Sequence, residues 1–291
     1  MRRKWAWFVW AWAGVVSCYP SQDRDADRLG LGQALFADAR FSADGRTSCA
    51  SCHRPSHAFA DTLSFSLGAF GRRSLRNTPT LVGIPLDIPL MSDGGVPPLR
   101  SGSMAVLAAL TAHLDMDMNP RSLNQKLQGY PMYRERLGRV EPDKDLASAY
   151  LLTLHGYLLA LAQGHDSANL NRRTFQLNAS AERGKILFFG QAGCSRCHHG
   201  PSLSDGRFYN LGFGDRQEVG RAAVTLREED RGRMRTPILK NLSRTSPYFY
   251  DGRAKTLHQV LEHYQRGAGE AGRWAGDSLQ SADLLAFLES L

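Results

Sequence analysis

Two pentapeptides in this 291-residue chain carry side chains that can do chemistry together: "CASCH" at 49–53 and "CSRCH" at 194–198, about 145 residues apart. Each is Cys-x-x-Cys-His. A thiol pair at this spacing serves either as a redox dithiol or metal ligand pair, or as the attachment point of a c-type haem. In the second case the cysteines form thioethers with the two vinyl groups and the histidine becomes the proximal iron ligand. A thioredoxin-like dithiol needs no histidine at that place and follows a strand of a βαβ unit, which the flanking sequence does not show. A structural zinc site needs four ligands gathered without a haem-sized pocket. Two copies in one chain read as two covalent haems, held by Cys49, Cys52 and His53 and by Cys194, Cys197 and His198.

The remaining cysteine, Cys18, belongs to a leader. Arg2, Arg3 and Lys4 precede an apolar run from Trp5 to Val16, shorter than the roughly 20 residues a membrane-spanning helix needs. A basic start, a short apolar run and small residues predict a secretory signal peptide over 1–17. Val15-Val16-Ser17-Cys18 resembles a lipobox, which predicts Cys18 as a lipidated mature N-terminus and a periplasmic protein with a membrane anchor. An exported compartment is oxidising, and it is also where bacteria attach c-type haem. The formal net charge of +8 falls to +5 once the three basic leader residues are removed. The charges are scattered among acids, with none of the basic stripe that nucleic-acid binding requires.

The elements that must position the motifs are helical. Apolar residues at helical spacing predict helices over 25–42, 103–116, 122–129, 143–164 and 281–291. A further helix precedes the second motif within 180–200. "LGLGQALF" before CASCH is echoed by "RGKILFF" before CSRCH, so the chain reads as one helix-then-haem module used twice. Residues 54–102 are rich in proline and glycine. A long irregular segment in a compact domain is usually functional, and here it is expected to wrap a haem face. The predicted class is all-α: two cytochrome c-like haem domains at 25–165 and 166–291, with a boundary near 164–175 and long haem-wrapping loops.

Linked patterns around the motifs resemble those of the bacterial diheme cytochrome c peroxidases and their MauG-type relatives. In the first half they include Asp38, Arg40, Asp44-Gly45, Ala58-Phe59, Asp61 and Arg76-Asn77-Thr78-Pro79-Thr80-Leu81, followed by "DGGV" at 93–96. In the second half they include Gly184, Phe188, Asn210, Thr236-Pro237, Asn241 and "SPYFYDGRAKTLHQVLEHYQRG" at 246–267.

The resemblance implies an N-terminal haem that meets hydrogen peroxide and a C-terminal haem that transfers electrons, with calcium between them. The family position for a distal histidine corresponds to Ala69, which implies an open iron face; His57 is the only other histidine in that loop. The family's Glu-Met pair corresponds to Asp115-Met116, which makes Asp115 the proton carrier for O–O cleavage, with Asp117 and His113 as rivals. The second haem's distal ligand falls at Tyr264, as in MauG-type proteins, with His263 as the alternative. Calcium would take Asn77 and the backbone carbonyls around Arg235 and Pro237; hard oxygens of this kind suit it.

There are two departures. Ser92 stands where the family has an inter-haem tryptophan, leaving Met91, Tyr133 or another aromatic to serve, and Trp274 is the sole tryptophan outside the leader. Tyr250 stands where the family has histidine.

The implied activity is peroxide reduction with electrons from a small periplasmic donor protein. The alternatives are peroxide-dependent oxidation of Trp or Tyr on a partner protein, or a non-enzymatic diheme electron-transfer cytochrome.

Overall fold

A computed structural model describes residues 21–164 and 177–291. The leader, Cys18 and most of the expected boundary segment lie outside these residues.

The chain is mostly helical. α1 (Ser21–Ala37) leads to the first motif, whose opening residues form the one-turn helix α2 (Cys49–Cys52). Helices α3 (Met104–Thr111), α4 (Pro120–Gln128), α5 (Pro131–Val140) and α6 (Leu146–Ala162) follow. α7 (Ala179–Phe189) leads to the second motif, and α8 (Ala222–Thr225), α9 (Leu257–Arg266) and α10 (Ser278–Glu289) complete the order. Among the described residues, paired strands are confined to a two-residue antiparallel ladder, β1 (Phe208–Tyr209) with β2 (Met234–Arg235).

Short polar side chains start these helices by accepting the otherwise unpaired first N–H groups. Asn119 caps α4, Asp145 caps α6, Thr256 caps α9 and Asp277 caps α10. The first helix ends at Ala37 rather than at 42, because the Asp38 side chain accepts the Arg40 N–H at 3.0 Å and opens a separate 3-10 turn. Helices α5 and α8 are additions to the sequence reading. α5 had a signal: Pro131 at its first position, and Tyr133, Leu137 and Val140 buried at helical spacing.

Two large hydrophobic clusters form. One gathers Leu31, Leu35 and Phe36 of α1, Leu123 and Leu127 of α4, Leu137 of α5 and Tyr150, Leu154 and Leu161 of α6. The other gathers Phe188 of α7, Leu257 and Leu261 of α9, Trp274, and Leu284, Phe287 and Leu288 of α10. Each draws on one side of the expected boundary.

The module echo is a packing rule. In each copy a glycine precedes a phenylalanine by four residues: Gly32 with Phe36, and Gly184 with Phe188. A Cβ on Gly32 would lie 2.7 Å from Tyr157 Cβ and 2.9 Å from Thr153 O of α6. A Cβ on Gly184 would collide with Asp283 O of α10 and approach Phe287 Cβ to 2.9 Å. The absent side chain therefore sets the helix-to-helix distance, and the phenylalanine one turn on faces the haem motif. Gly184→Ala is expected to lower stability by about 1–3 kcal/mol through overpacking. A drop in thermal midpoint, with the haem spectrum unchanged below it, would bear this out.

Candidate functional site: a shared haem cavity

In the first motif Ser48 and Ser51 form a capping box that holds α2, and His53 follows with its N–H bonded to Cys49 O at 2.8 Å. Ala58 and Phe59 both take left-handed backbone angles. That turn brings the Phe59 carbonyl to within 3.0 Å of His53 Nδ1. A carbonyl only accepts, so Nδ1 carries the proton and Nε2 presents a lone pair, the tautomer a haem iron requires.

The second motif repeats this. Cys194–Arg196 is a 3-10 turn rather than an α-turn, yet His198 Nδ1 donates to Leu203 O at 2.9 Å, again after a left-handed residue. Phe36 lies 6.5 Å from the His53 ring at 47°, and Phe188 lies 6.5 Å from the His198 ring at 50°. The carbonyls of Pro79 and Pro237 also act on His53 and His198 respectively. Burial lowers the pKa of both imidazoles and keeps them neutral.

The thiols are unlike those of a redox dithiol. Burial pushes Cys49 up to about 12, and Cys52 and Cys194 up to about 11; catalytic dithiols have depressed values. Among the described residues no group of three or more His, Cys, Asp or Glu is gathered as a metal would need.

Both motifs open into one cavity of about 960 Å³, at the upper end of the roughly 300–1,000 Å³ usual for small-molecule sites. The proline- and glycine-rich 54–102 segment supplies a long stretch of its wall, as expected of a wrapping loop. Arg235 lines the cavity too. Its Nε donates to Met91 O at 3.2 Å and its Nη1 to Thr236 O at 3.3 Å. Burial depresses its pKa, and no carboxylate pairs with it among the described residues. A haem brings propionates, and a buried guanidinium lacking an acid fits them. Cavity size, thiol pairs, oriented imidazoles and this cation all suit covalent haem.

The cavity has two unlike ends. Asp115 lines it and acts electrostatically on both Cys49 and Cys52. Desolvation raises its carboxyl pKa. Asp117 is engaged elsewhere: it pairs with Arg72 at 2.5 Å and with His113 at 3.3 Å, and these partners lower its pKa. Ala69 is fully buried, and its N–H donates to Asp115 O at 2.6 Å. His57 bonds Ser56 Oγ at 2.9 Å and does not line the cavity. His113 does line it, but its side chain is 69% exposed. Met116 Sδ lies 3.8 Å from Cys49 Sγ, so the Asp-Met pair packs directly on the motif.

At the other end stands Tyr264. Its phenol lines the cavity, feels both Cys194 and Cys197, and has its pKa raised by burial. His263 turns away, as adjacent helical positions must, about 100° apart. It stacks on Phe213 at 4.4 Å and 21°, with Nε2 bonded to Leu211 O at 2.9 Å. Trp274 also lines this end, its N–H bonded to Tyr264 O at 3.0 Å.

Between the ends the first-half loop meets the second half. Ser92 O accepts the Arg235 N–H at 2.7 Å, and Ser92 and Met91 line the cavity. Arg76 binds Asp93 at 2.5 Å and Glu218 at 2.8 Å, joining the halves by charge. Tyr133 is not between the motifs. It sits on α5 inside the first hydrophobic cluster, which removes it as a replacement for the missing tryptophan. Tyr250 does line the cavity, and its carbonyl accepts the Asn77 N–H at 2.6 Å. Asn77, Arg235 and Pro237 share the wall. Their carboxamide and carbonyl oxygens are the hard, neutral donors calcium takes, with water to complete its shell.

Sequence reasoning passed over the glycine–phenylalanine pairs as determinants of the proximal side, and over the Arg235 guanidinium. The aligned echo of the two modules was the available signal for the first. Nothing in the sequence marked the second.

Paired thiols, each with an oriented imidazole, define a covalent c-type haem protein. Residues 26–168 match the sequence profile described as "Di-haem cytochrome c peroxidase". The chain is 31% identical to "Methylamine utilization protein MauG" of Methylorubrum extorquens, over 91% of this chain and 78% of that one. It is 28% identical to "Cytochrome-c peroxidase IdrP2" of Denitromonas iodatirespirans, over 92% of this chain and 82% of that one. The crystal structure of "a MauG-like protein associated with microbial copper homeostasis" shares the fold with a TM-score of 0.79 at 23% identity, over 97% of this chain and 95% of that one. The diheme peroxidase BthA from Burkholderia thailandensis does so at 0.72 and 19%, over 95% and 87%. The chain belongs to the diheme cytochrome c peroxidase/MauG family. It is a haem peroxidase, an oxidoreductase, and the reading as a non-enzymatic electron-transfer cytochrome is set aside.

Proposed function

We propose that the protein is an exported, MauG-like diheme peroxidase in which the Cys49–Cys52–His53 end of the cavity handles hydrogen peroxide and the Cys194–Cys197–His198 end relays electrons. The observation that carries this is the asymmetry of the cavity: a buried carboxyl, Asp115, beside the first thiol pair, and a phenol, Tyr264, beside the second. When bound, the two haems supply redox-active iron. The chain's own residues do the rest. Asp115 takes a proton from one peroxide oxygen and returns it to the other, assisting O–O cleavage. His53 and His198 hold the proximal sides. Tyr264 would be the second protein ligand of the haem held by Cys194 and Cys197, and Arg235 would pair with a propionate. The apolar walls keep bulk water from the reacting oxygen.

The two halves act as two haem domains, with residues 25–165 and 166–291 each holding one haem. Electrons come from a small periplasmic donor protein. A second reading is peroxide-dependent oxidation of Trp or Tyr on a partner; Tyr264 favours it, since a tyrosine at this place resembles the MauG branch. The leader directs the chain to the periplasm, where a lipidated Cys18 anchors it. Stopped-flow mixing of the diferric protein with peroxide tests the core of the proposal: rapid spectral change at one haem is expected, and a pair of haems indifferent to peroxide refutes it.

Calcium is part of this reading, between Asn77 and the carbonyls at Arg235 and Pro237. Its removal with a chelator is expected to slow electron transfer between the haems several-fold, with recovery on adding calcium but not magnesium, which tolerates such flexible, carbonyl-rich sites poorly. Rates unaffected by the chelator would remove calcium from the account.

A further inference from the structure

The first hydrophobic cluster, with the side chains packed against it, contains four tyrosines that do not line the cavity, and three of them, Tyr130, Tyr133 and Tyr150, group around Phe41. Tyr150 of α6 is fully buried, its hydroxyl finds no partner, and Cys49 lies close enough to act on it electrostatically. The Phe41 ring stands 5.0 Å from Tyr150, 5.4 Å from Tyr133 and 6.1 Å from Tyr130. Tyr130 and Tyr133 are 6.5 Å apart. All four spacings fall in the contact range of aromatic pairs. The Tyr133 hydroxyl donates to Asp38 Oδ2 at 2.6 Å, and Asp38 is held by Arg40. Tyr130 is only half-buried, with the Arg40 guanidinium 4.5 Å above its ring. Phenylalanine would fill the Tyr150 place without leaving a hydroxyl unpaired. Tyr133 differs: it can give up an electron together with its proton, because the Asp38 carboxylate stands ready to accept the proton.

We infer that Tyr150, Phe41, Tyr133 and Tyr130 form a relay from the first haem motif to the surface, through which small phenols are oxidised and through which the protein drains oxidising equivalents when no donor protein is present. This rests on the reading of CASCH as the peroxide-facing end. Reducing one hydrogen peroxide to two waters takes two electrons and two protons. Each electron drawn toward the Cys49 end leaves one phenol of the relay oxidised. At Tyr133 the O–H bond breaks as the electron departs, and its proton passes to the Asp38 carboxylate. Phe41 and Tyr150 bridge the gap without being oxidised themselves, since the Tyr150 hydroxyl has no acceptor for its proton. The hole reaches Tyr130, where an external phenol returns one electron and one proton and becomes a phenoxyl radical. Two such phenols balance one peroxide.

The test uses the diferric, fully haem-loaded protein mixed with peroxide and no donor protein. Freeze-quench electron paramagnetic resonance reads the radical, and the turnovers before haem bleaching are counted. A tyrosyl signal is expected in the parent. In Tyr133→Phe the signal is expected to lose most of its intensity, with bleaching several-fold earlier. Tyr130→Phe, which keeps the half-buried ring and its packing, is expected to keep a radical but lose most peroxide-dependent oxidation of guaiacol. An unchanged signal in Tyr133→Phe, or guaiacol oxidation unchanged in Tyr130→Phe, overturns the relay. If peroxide still changes the haem spectrum in those proteins, the peroxide-facing reading survives that failure; if it does not change the parent's spectrum, both fall.

Discussion

Asp115→Asn is expected to slow the reaction of the diferric protein with peroxide by roughly 10²–10⁴-fold, the range a positioned proton carrier commands. Asparagine keeps the shape but cannot take the proton that one peroxide oxygen must lose and the other must gain. Asp115→Glu restores the carboxyl and, with it, a large part of the rate. The pH profile makes the assignment specific. The carboxyl must be ionised to act as base, so the rate falls as pH drops through its pKa. Burial raises that pKa, so the acid limb lies above the ordinary aspartate range of about 3.9, and it disappears in the asparagine variant. Thermal midpoints of parent and variant, read beside the kinetics, separate a lost proton carrier from a disturbed fold. Parent-like peroxide kinetics in Asp115→Asn would pass the role to another group, and Asp117 is poorly suited, tied as it is to Arg72 and His113.

Tyr264→Phe is expected to open the second iron. The parent should bind cyanide at one haem and the variant at both, with new high-spin absorption at the second. The phenol's pKa is raised by burial; a ferric iron beside it would offset that by favouring the phenolate, as a bound cation inverts the local pKa order. Tyr264→Met should instead raise the second haem's potential, within the roughly 0.8 V span that axial ligands command. His263→Ala should leave both readings unchanged, because His263 stacks on Phe213 away from the cavity. Identical spectra for parent and Tyr264→Phe would dismiss the tyrosine as a ligand.

Much of this was legible in the sequence for physical reasons. Cys-x-x-Cys-His narrows its chemistry through spacing, the adjoining histidine and its repetition, and α1, α6, α7 and α10 announce themselves through apolar periodicity. The choice between Tyr264 and His263 was not legible: both lie within a helical signal, and the 100° between neighbours decides only once one flank is seen to pack on Phe213. Nor was the position of Tyr133. Its distance from Ser92 in space depends on how α5 packs, and α5 itself is short and interrupted by charge. Close approaches such as Gly184 against Asp283 are written in the sequence as an absent side chain, which carries no periodicity to detect.

The matched phenylalanine–histidine geometry has a practical consequence. Phe36 with His53 and Phe188 with His198 are interchangeable parts, alike to within 3° of interplanar angle. The two ends of the cavity differ most in the side chains that Asp115 and Tyr264 supply. An engineer could exploit that difference. Exchanging the Asp115 and Tyr264 walls, with both attachment motifs untouched, would aim to reverse which half meets the oxidant.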